Sequence, residues 1–476
     1  MSIFVRRFSA STCRSLHNFL AQLDCFFGGF IFHSYIKTEG TNMPVRKTAT
    51  KRKSTARIIT PGLPTKTSRK SRLLLPSPES LDDKETGLVF TFGQGDVGQL
   101  GLGEDVLERT NPAIVKNLEN VVDICAGGMH TVCLTKTGEV ITFGCNDEGA
   151  LGRDTSNGNS ETEPGKVEID GTVVQITAGD SHTAALTEKG QVFAWGSFRD
   201  SSGSMGLMKA GVAEQKPVEI LPGLMTVKIA SGADHLVMLA NDGHIYTCGC
   251  GEQGQLGRVS ERAANRSCRQ GLGHLLVPAP VPINPRSKLG FEDIWAGTWC
   301  TYAKAQNHIY VFGLNNYSQL GVENQVCHFH PVISPSFSEK LWSQICGGQH
   351  HTLARDNEGG VYVIGRKDYG RLGLGKDCED ITTPTAIPKL IGMKCTDIAC
   401  GAAVSFAVND KGEVYGWGMA TNGQLGKSGD GDDESDVYEP RQIKGKQLLS
   451  QVVLKVSAGG QHTVLLAKSA KVTEEK

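Results

Sequence analysis

Acidic residues in three similar loops are the side chains of this 476-residue chain most able to bind a charged partner. Asp96, Asp180 and Asp234 each lie in a glycine-flanked loop and not inside a segment with strand character. A single carboxylate in such a loop is usually just solvated. Three of them on comparable loops can instead form an acidic patch that receives lysine or arginine side chains. The residues alone therefore leave two interpretations open, solvated loop carboxylates and a patch that binds a basic surface.

Histidines recur in the same kind of loop, each close behind an Ala-Gly pair or a similar pair. Cys300 and Val404 occupy this place in two repeats, and the other five repeats carry His130, His182, His235, His351 and His462. A side chain that recurs with every repeat is more often a structural post at a turn than a catalyst, and we expect this role for His182 and His235. His350 is an additional residue beside His351, and we expect it to reach outward. For His130, His350 and His462 the sequence leaves a structural role and contact with a partner both open.

Two glycine-rich strings, Gly93–Gly98 and Gly249–Gly254, match the fingerprint of dinucleotide-binding proteins. That fingerprint needs a helix after the glycines to hold a pyrophosphate, whereas Gln-Leu-Gly and further strand-like segments follow here. Neither string therefore predicts a nucleotide cofactor. The sequence also shows no nucleophile–base pair and no metal-binding cluster, so we expect no cofactor, no metal and no covalent chemistry.

The elements that position these loops repeat seven times. Their shared mark is a glycine at intervals of 51 to 64 residues: Gly93, Gly144, Gly196, Gly249, Gly313, Gly365 and Gly418. Between the marks lie short, β-branched apolar segments and glycine turns, typical of four strands in each repeat. The first repeat lacks its opening half and the last lacks its closing half, which together make one whole unit. We predict an all-β, seven-bladed β-propeller over residues 86–470, closed by pairing Leu88–Phe92 with Thr463–Leu466.

Two repeats depart from the regular pattern. In the third, the loop from Gly196 to Gly206 is two residues longer than its neighbours, which predicts a projecting hairpin that carries Phe198 and Arg199. In the fourth, the extra length follows Arg258 and is rich in arginine, which suits two-pronged binding of carboxylates or phosphates. The arginines of this segment are Arg258, Arg262, Arg266 and Arg269.

The ends of the chain differ from the repeats. Residues 43–85 form a basic tail that we expect to be disordered, and they are rich in Ser, Thr and Pro. Such a tail can bind DNA phosphates and act as a nuclear import signal through Arg46, Lys47, Lys51, Arg52, Lys53, Arg69, Lys70 and Arg72. Residues 1–42 are an extension of uncertain status, and residues 471–476 form a C-terminal tail. A mitochondrial presequence or a signal peptide is one interpretation of the extension, and an upstream extension with alternative initiation at Met43 is favoured over it. No segment is predicted to span a membrane.

The repeats resemble the regulator of chromosome condensation family, in both the Phe-Gly-x-x-x-x-Gly-Gln-Leu-Gly loops and the Ala-Gly-x-x-His marks. More specific strings are Gly93–Gly103, Phe143–Arg153, Trp195–Asp200 and Gly249–Arg258. The resemblance implies a monomeric, chromatin-bound guanine-nucleotide exchange factor for the small GTPase Ran, located in the nucleus. It would support nuclear transport, spindle assembly and cell-cycle progression.

The resemblance also implies roles for particular residues. The family's exchange residues align with Asp96, Asp180 and Asp234, and its partner-binding face includes the loops of His130, His350 and His462. The loop at Phe198 and Arg199 aligns with a wedge that the family drives against the nucleotide site of the GTPase. Arg262 and Arg269 align best with arginines that enter the acidic patch of the nucleosome.

Two other functions are compatible with the same repeats. A scaffold or adaptor of this family would lack exchange activity, and its hairpin at Phe198 could be shortened without loss. A hydrolase or sugar-binding propeller has less support, since neither paired carboxylates nor aromatic platforms recur. Release of GDP with and without residues 198–205 distinguishes exchange from scaffolding.

Overall fold

The computed structural model describes residues 74–156, 160–282, 290–426 and 435–470. The extension, the C-terminal tail 471–476 and every basic tail residue named above lie outside these ranges. Within them the chain forms thirty β-strands, three 3₁₀ turns and two short helices. We number the strands β1 to β30 in chain order and the helices α1 (Glu261–Ala264) and α2 (Gly273–Leu276). The 3₁₀ turns are Ser336–Glu339, Asp368–Gly370 and Pro388–Leu390.

The strands form seven antiparallel, four-stranded blades, each named here by its strands from first to fourth. Five blades are separate sheets, and the other two are joined into one eight-stranded sheet by a single parallel bridge, Gly297↔Gly347. Blade 1 contains β3 Val121–Ala126, β4 His130–Thr135, β5 Val140–Gly144 and β6 Gly165–Val167. Blade 2 contains β7 Val173–Ala178, β8 His182–Thr187, β9 Val192–Gly196 and β12 Glu214–Glu219. Blade 3 contains β13 Thr226–Ser231, β14 His235–Ala240, β15 Ile245–Gly249 and β16 Ala279–Pro280.

The remaining blades follow the same plan, and blade 7 draws on both ends of the chain. Blade 4 contains β17 Asp293–Gly297, β18 Cys300–Ala305, β19 His308–Gly313 and β20 His328–Ile333. Blade 5 contains β21 Trp342–Gly347, β22 His351–Asp356, β23 Val361–Gly365 and β24 Ile381–Ala386. Blade 6 contains β25 Cys395–Cys400, β26 Val404–Asn409, β27 Val414–Gly418 and β28 Val437–Gln442. Blade 7 contains β29 Gln451–Ala458, β30 His462–Ser469, β1 Leu88–Gln94 and β2 Glu108–Ile114. A separate hairpin, β10 Phe198–Asp200 and β11 Gly203–Gly206, extends from blade 2.

Blade 7 closes the ring as predicted. Strand β1 pairs with β30 in continuous register, from Leu88↔Ala467 to Gly93↔His462. Because β1 and β30 pair within one sheet, the two ends of the chain complete the seventh blade and close the ring.

The Gln-Leu-Gly motif packs neighbouring blades together. The motif or an Ala-Leu-Gly or Arg-Leu-Gly variant occurs in every blade but blade 2, and its leucine is buried in each of them. Its glycine lies against an aromatic ring of the next blade at Gly101, Gly152, Gly257 and Gly373. At Gly152 φ is +66°, and a Cβ there would lie 2.7 Å from the indole Nε1 of Trp195. That indole N–H donates to the carbonyl of Ala150 at 2.8 Å. The motif therefore fixes the spacing between blades, and only glycine fits both the backbone and the contact.

Candidate functional site

One face of the ring carries the turns between first and second strands and the loops between third and fourth strands. Main-chain hydrogen bonds join the turns of successive blades, such as Gly128 N–H to Gly179 O at 3.1 Å and Asp180 N–H to Ala233 O at 2.7 Å. Gly460 N–H to Gly128 O, at 3.0 Å, joins the last blade to the first. These bonds hold the turns at fixed positions relative to one another.

The repeated histidines reinforce the same junctions. Each contacts, through Nε2, a hydroxyl group of the next blade: His130 to Thr183 (2.9 Å), His182 to Ser231 (3.1 Å), His235 to Thr301 (3.0 Å), His351 to Ser405 (2.8 Å) and His462 to Thr131 (3.0 Å). We call this set the histidine ladder. Cys300 replaces a ladder histidine in blade 4, where the hydroxyl of Tyr302 reaches Thr352 at 2.6 Å instead.

Burial favours the neutral form of His130, His182, His235 and His462. It lowers the pKa of His130 to about 4 and the pKa of His182 to about 3. The hydroxyl of Thr183 donates its proton to Ala150 O at 2.8 Å, so His130 must be the donor through Nε2–H. The glycine three residues before each ladder histidine leaves room for the imidazole. A Cβ on Gly179, for example, would lie 2.1 Å from Cε1 of His182.

The structure corrects the separate treatment of His130 and His462. The sequence leaves contact with a partner open for both, yet each is 1% exposed and occupies the same ladder position as His182 and His235. A buried ring that already bonds the next blade does not present a nitrogen to another protein. The sequence could not show this difference, because the motif is the same in every blade.

His350 lies outside the ladder, as its extra position in the sequence suggests. Its ring is half-buried between Trp299 and Tyr317, with centroid separations of 5.7 and 5.1 Å. Burial, followed by the charges of Arg371 and Arg366, lowers the pKa of His350 to about 3. A neutral imidazole in an aromatic pocket is thus available at this face.

Two of the three predicted aspartates lie together. Burial and, after it, repulsion from Asp180 raise the pKa of Asp234 well above its usual value. Asp180 remains solvent-accessible, and the protein atoms that crowd its carboxylate raise its pKa as well, against the attraction of Arg199. The pair is therefore an acidic site with incomplete charge compensation, which favours the approach of a cation.

Asp96 is the third aspartate, and it occupies the loop after β1 in blade 7. Its exposed carboxylate accepts a hydrogen bond from Gln99 Nε2 at 3.1 Å. Among the described contacts, none joins it to Asp180 or Asp234. The structure therefore brings together two of the predicted acidic residues and places Asp96 at a separate point.

The predicted hairpin is present as β10 and β11, but it does not project Phe198. That ring is 1% exposed, in the same core cluster as Met205, and lies 4.6 Å from the ring of His182. Arg199 is exposed, and the turn at Ser201 and Ser202 forms the tip. Phe198 anchors the base because the chain alternates sides at each strand residue, a register that the loop length alone did not fix.

Acidic side chains tie the hairpin to the face. The Arg199 N–H donates to Asp234 Oδ1 at 2.8 Å, and the Arg199 guanidinium donates to Glu148 at 2.9 Å. The carboxylate of Glu252 accepts hydrogen bonds from the N–H and the hydroxyl of Ser201, at 3.0 and 2.6 Å. The sequence pattern does not single out Glu148 and Glu252, although both lie in the glycine-rich loops next to the hairpin.

The arginine-rich segment lies beside this hairpin. Arg258 is structural, because its guanidinium donates to four main-chain carbonyls within β15 and around α2. Arg266 turns toward the hairpin and binds Asp200, whereas Arg262 and Arg269 are exposed. The segment therefore exposes Arg262 and Arg269 to solvent, whereas Arg258 and Arg266 form hydrogen bonds within the protein.

The described residues contain no group of three or more His, Cys, Asp or Glu side chains placed to hold a metal ion. No helix in the ranges given above is long and apolar enough to cross a membrane.

A closed seven-bladed ring with an acid-anchored hairpin on one face defines a β-propeller. The RCC1-like domain model matches residues 88–465, and the chain belongs to this family. It is 55% identical over 390 residues to the Regulator of chromosome condensation of Mus musculus, covering 81% of this chain and 91% of the mouse protein. It is 29% identical over 432 residues to the guanine nucleotide exchange factor SRM1 of Saccharomyces cerevisiae, covering 79% and 86%.

A solved structure shows the same architecture. The crystal structure of Prp20p from Saccharomyces cerevisiae, a protein with described binding to Gsp1p and histones, superposes with a TM-score of 0.74 at 27% identity. The match covers 83% of this chain and 96% of the yeast chain.

Proposed function

We propose that this protein is a guanine-nucleotide exchange factor for the small GTPase Ran and that it acts while bound to chromatin. The observation that carries the proposal is the hairpin at residues 198–206, held over the Asp180–Asp234 pair by the Arg199 N–H. Family membership supports it, as does the similarity to SRM1, a yeast protein named as an exchange factor.

Exchange requires differential binding and no bond making. A factor that binds the nucleotide-free GTPase more tightly than the loaded form must, by linkage, weaken the binding of nucleotide by the same factor. Asp180 and Asp234 would bind basic side chains of the GTPase, and the rigid hairpin would displace its phosphate-binding loop. GTP then enters because it is the more abundant cellular nucleotide.

The same face divides into regions with separate partners. Arg262 and Arg269 are exposed on the segment beside the hairpin, and their planar forks suit the carboxylates of an acidic histone surface. The basic tail would add DNA contact by counterion release, which makes binding fall steeply with salt. Together these contacts would keep exchange near chromosomes in the nucleus.

The direct test is release of fluorescent GDP from Ran by the full-length protein. We expect strong acceleration, and loss of that acceleration when Arg199–Ser204 is replaced by a two-residue turn that retains Phe198 and Met205. Acceleration that persists without the hairpin, or is absent in the intact protein, would favour a scaffold of the same fold and would contradict the proposal.

A further inference from the structure

The hairpin is too small to hold its own shape. Strands β10 and β11 share only three residue pairs, with a register shift between Phe198 and Arg199. Isolated two-stranded hairpins are marginally stable in water, so an element that must displace part of another protein needs external support. Its tip residues Ser201 and Ser202 are exposed.

One guanidinium contacts both strands of the hairpin. Arg266 Nε donates to Asp200 Oδ2 at 2.7 Å, and Nη2 bonds both the other oxygen of Asp200 and the carbonyl of Gly203, the latter at 3.2 Å. Asp200 ends β10 and Gly203 begins β11. The fork therefore spans the turn from one strand to the other.

The ion pair is well protected for a surface hairpin. The side chain of Asp200 is 3% exposed and that of Arg266 is 28% exposed. Asp200 also accepts the N–H of Ser202 at 2.9 Å, so its carboxylate organises the tip as well as the pair. Two parallel N–H···O bonds to a shielded carboxylate give directional strength that a lysine does not provide.

The segment that supplies Arg266 is itself anchored. Val259, Ala264, Leu275 and Leu276 are buried in the same core cluster as Phe198 and Met205. Arg258 ties the two ends of this segment through the carbonyls of Thr247, His274, Leu275 and Val277. Arg266 thus reaches the hairpin from a fixed base and can act as a brace.

We infer that Arg266 is a positioning residue for nucleotide exchange: it braces the hairpin through Asp200 and Gly203 without touching the GTPase. This inference deepens the proposed function and rests on it. It also makes the hairpin continuous with the segment that exposes Arg262 and Arg269, so the two partner-binding regions share one support.

The test compares the full-length wild type with Arg266→Ala, Arg266→Lys and a control, Lys166→Ala. The control removes one charge from an exposed ion pair with Glu139 on the outer strand of blade 1. Release of fluorescent GDP from Ran is measured over a range of exchange-factor concentrations, and amide hydrogen exchange is followed by mass spectrometry.

We expect the maximal release rate of Arg266→Ala to fall on the order of tenfold, since a shielded charge-assisted pair is lost. The concentration that gives half the maximal rate should change less than about twofold, because the acidic pair that binds the GTPase is intact. Arg266→Lys should be intermediate, and Lys166→Ala should match the wild type. Amide exchange should accelerate in residues 198–206 of Arg266→Ala and remain unchanged in the strands of the blades.

Unchanged amide protection of residues 198–206 in Arg266→Ala would overturn the brace, whatever the exchange rate. A wild-type maximal rate in Arg266→Ala would overturn its part in exchange. If the wild type itself fails to release GDP, the proposed function fails, and amide protection alone then decides whether Arg266 braces the hairpin.

Discussion

At the scale of single residues, similar motif positions have different roles. The repeated sequence predicted loops that carry Asp180, Asp234 and the histidines, and the structure places them on one face. It could not predict which of them face solvent, because the ladder histidines bury themselves against hydroxyls about fifty residues away along the chain. His350 was identified by its irregular position, which is the kind of signal that a repeat protein offers.

Asp234 is the residue whose loss should be most informative. Asp234→Asn keeps an oxygen for the Arg199 N–H but removes the charge, so the fold should persist while binding of basic side chains weakens. We expect GDP release to slow by about tenfold or more. The measurement is the release rate, with circular dichroism as the check on folding. An unchanged rate would exclude a role for this charge.

The acidic pair also predicts a dependence on pH. Burial raises the pKa of Asp234 and crowding raises the pKa of Asp180, so both protonate at a higher pH than the usual 3.8. Since only the ionised pair attracts cations, affinity for the GTPase should fall as pH is lowered, before ordinary carboxylates titrate. Isothermal titration calorimetry at several pH values measures this, and Asp234→Asn should flatten the dependence. Identical profiles for the two proteins would contradict the assignment.

At the scale of elements, loop length predicted the hairpin but not the direction of its side chains. The two extra residues between Gly196 and Gly206 gave β10 and β11, whereas Phe198 turned inward. The contact of Asp200 with Arg266 spans 66 positions of sequence and could not be read from either loop alone. Contacts of this kind depend on how blades 2 and 3 are placed side by side.

Comparison of Phe198→Ala with Arg199→Ala tests whether the Phe198 side chain is part of the hydrophobic core. Phe198→Ala should lower the free energy of unfolding by about 3–5 kcal/mol, since a buried aromatic ring is removed. Arg199→Ala should cost less than about 1 kcal/mol, because its pair with Glu148 is solvent-exposed. Denaturant unfolding measures both. Equal, small losses would mean that Phe198 is not part of the core.

At the scale of the whole molecule, closure makes the face rigid. The split repeat and the glycine spacing were enough to predict seven blades and the pairing of β1 with β30, since these follow from period and pattern alone. The hydrogen bonds that join the turns of successive blades connect main-chain groups. No side-chain motif therefore indicates these hydrogen bonds directly.

The histidine ladder predicts that the ring loses stability in acid. Burial lowers the pKa of His130 to about 4 and the pKa of His182, His235 and His462 to about 3. The unfolded chain, with histidine pKa values near 6.5, binds more protons below that pH, so stability falls as pH drops. The raised pKa values of Asp180 and Asp234 act in the opposite direction.

The unfolding temperature, measured between about pH 7.5 and about pH 5, reports this loss of stability. In His182→Gln the unfolding temperature should fall less steeply with decreasing pH, which isolates the contribution of one histidine. A wild-type unfolding temperature that stays constant over that range, with the same result for His182→Gln, would contradict the lowered pKa values of His130, His182, His235 and His462.

The central claim is that a rigid, hairpin-bearing face prefers a GTPase without nucleotide. The most direct measurement is the dissociation constant of the full-length protein for Ran, determined once with nucleotide-free Ran and once with GDP-bound Ran. The account predicts tighter binding of the nucleotide-free form by on the order of a hundredfold or more. Equal affinity for the two forms would contradict it.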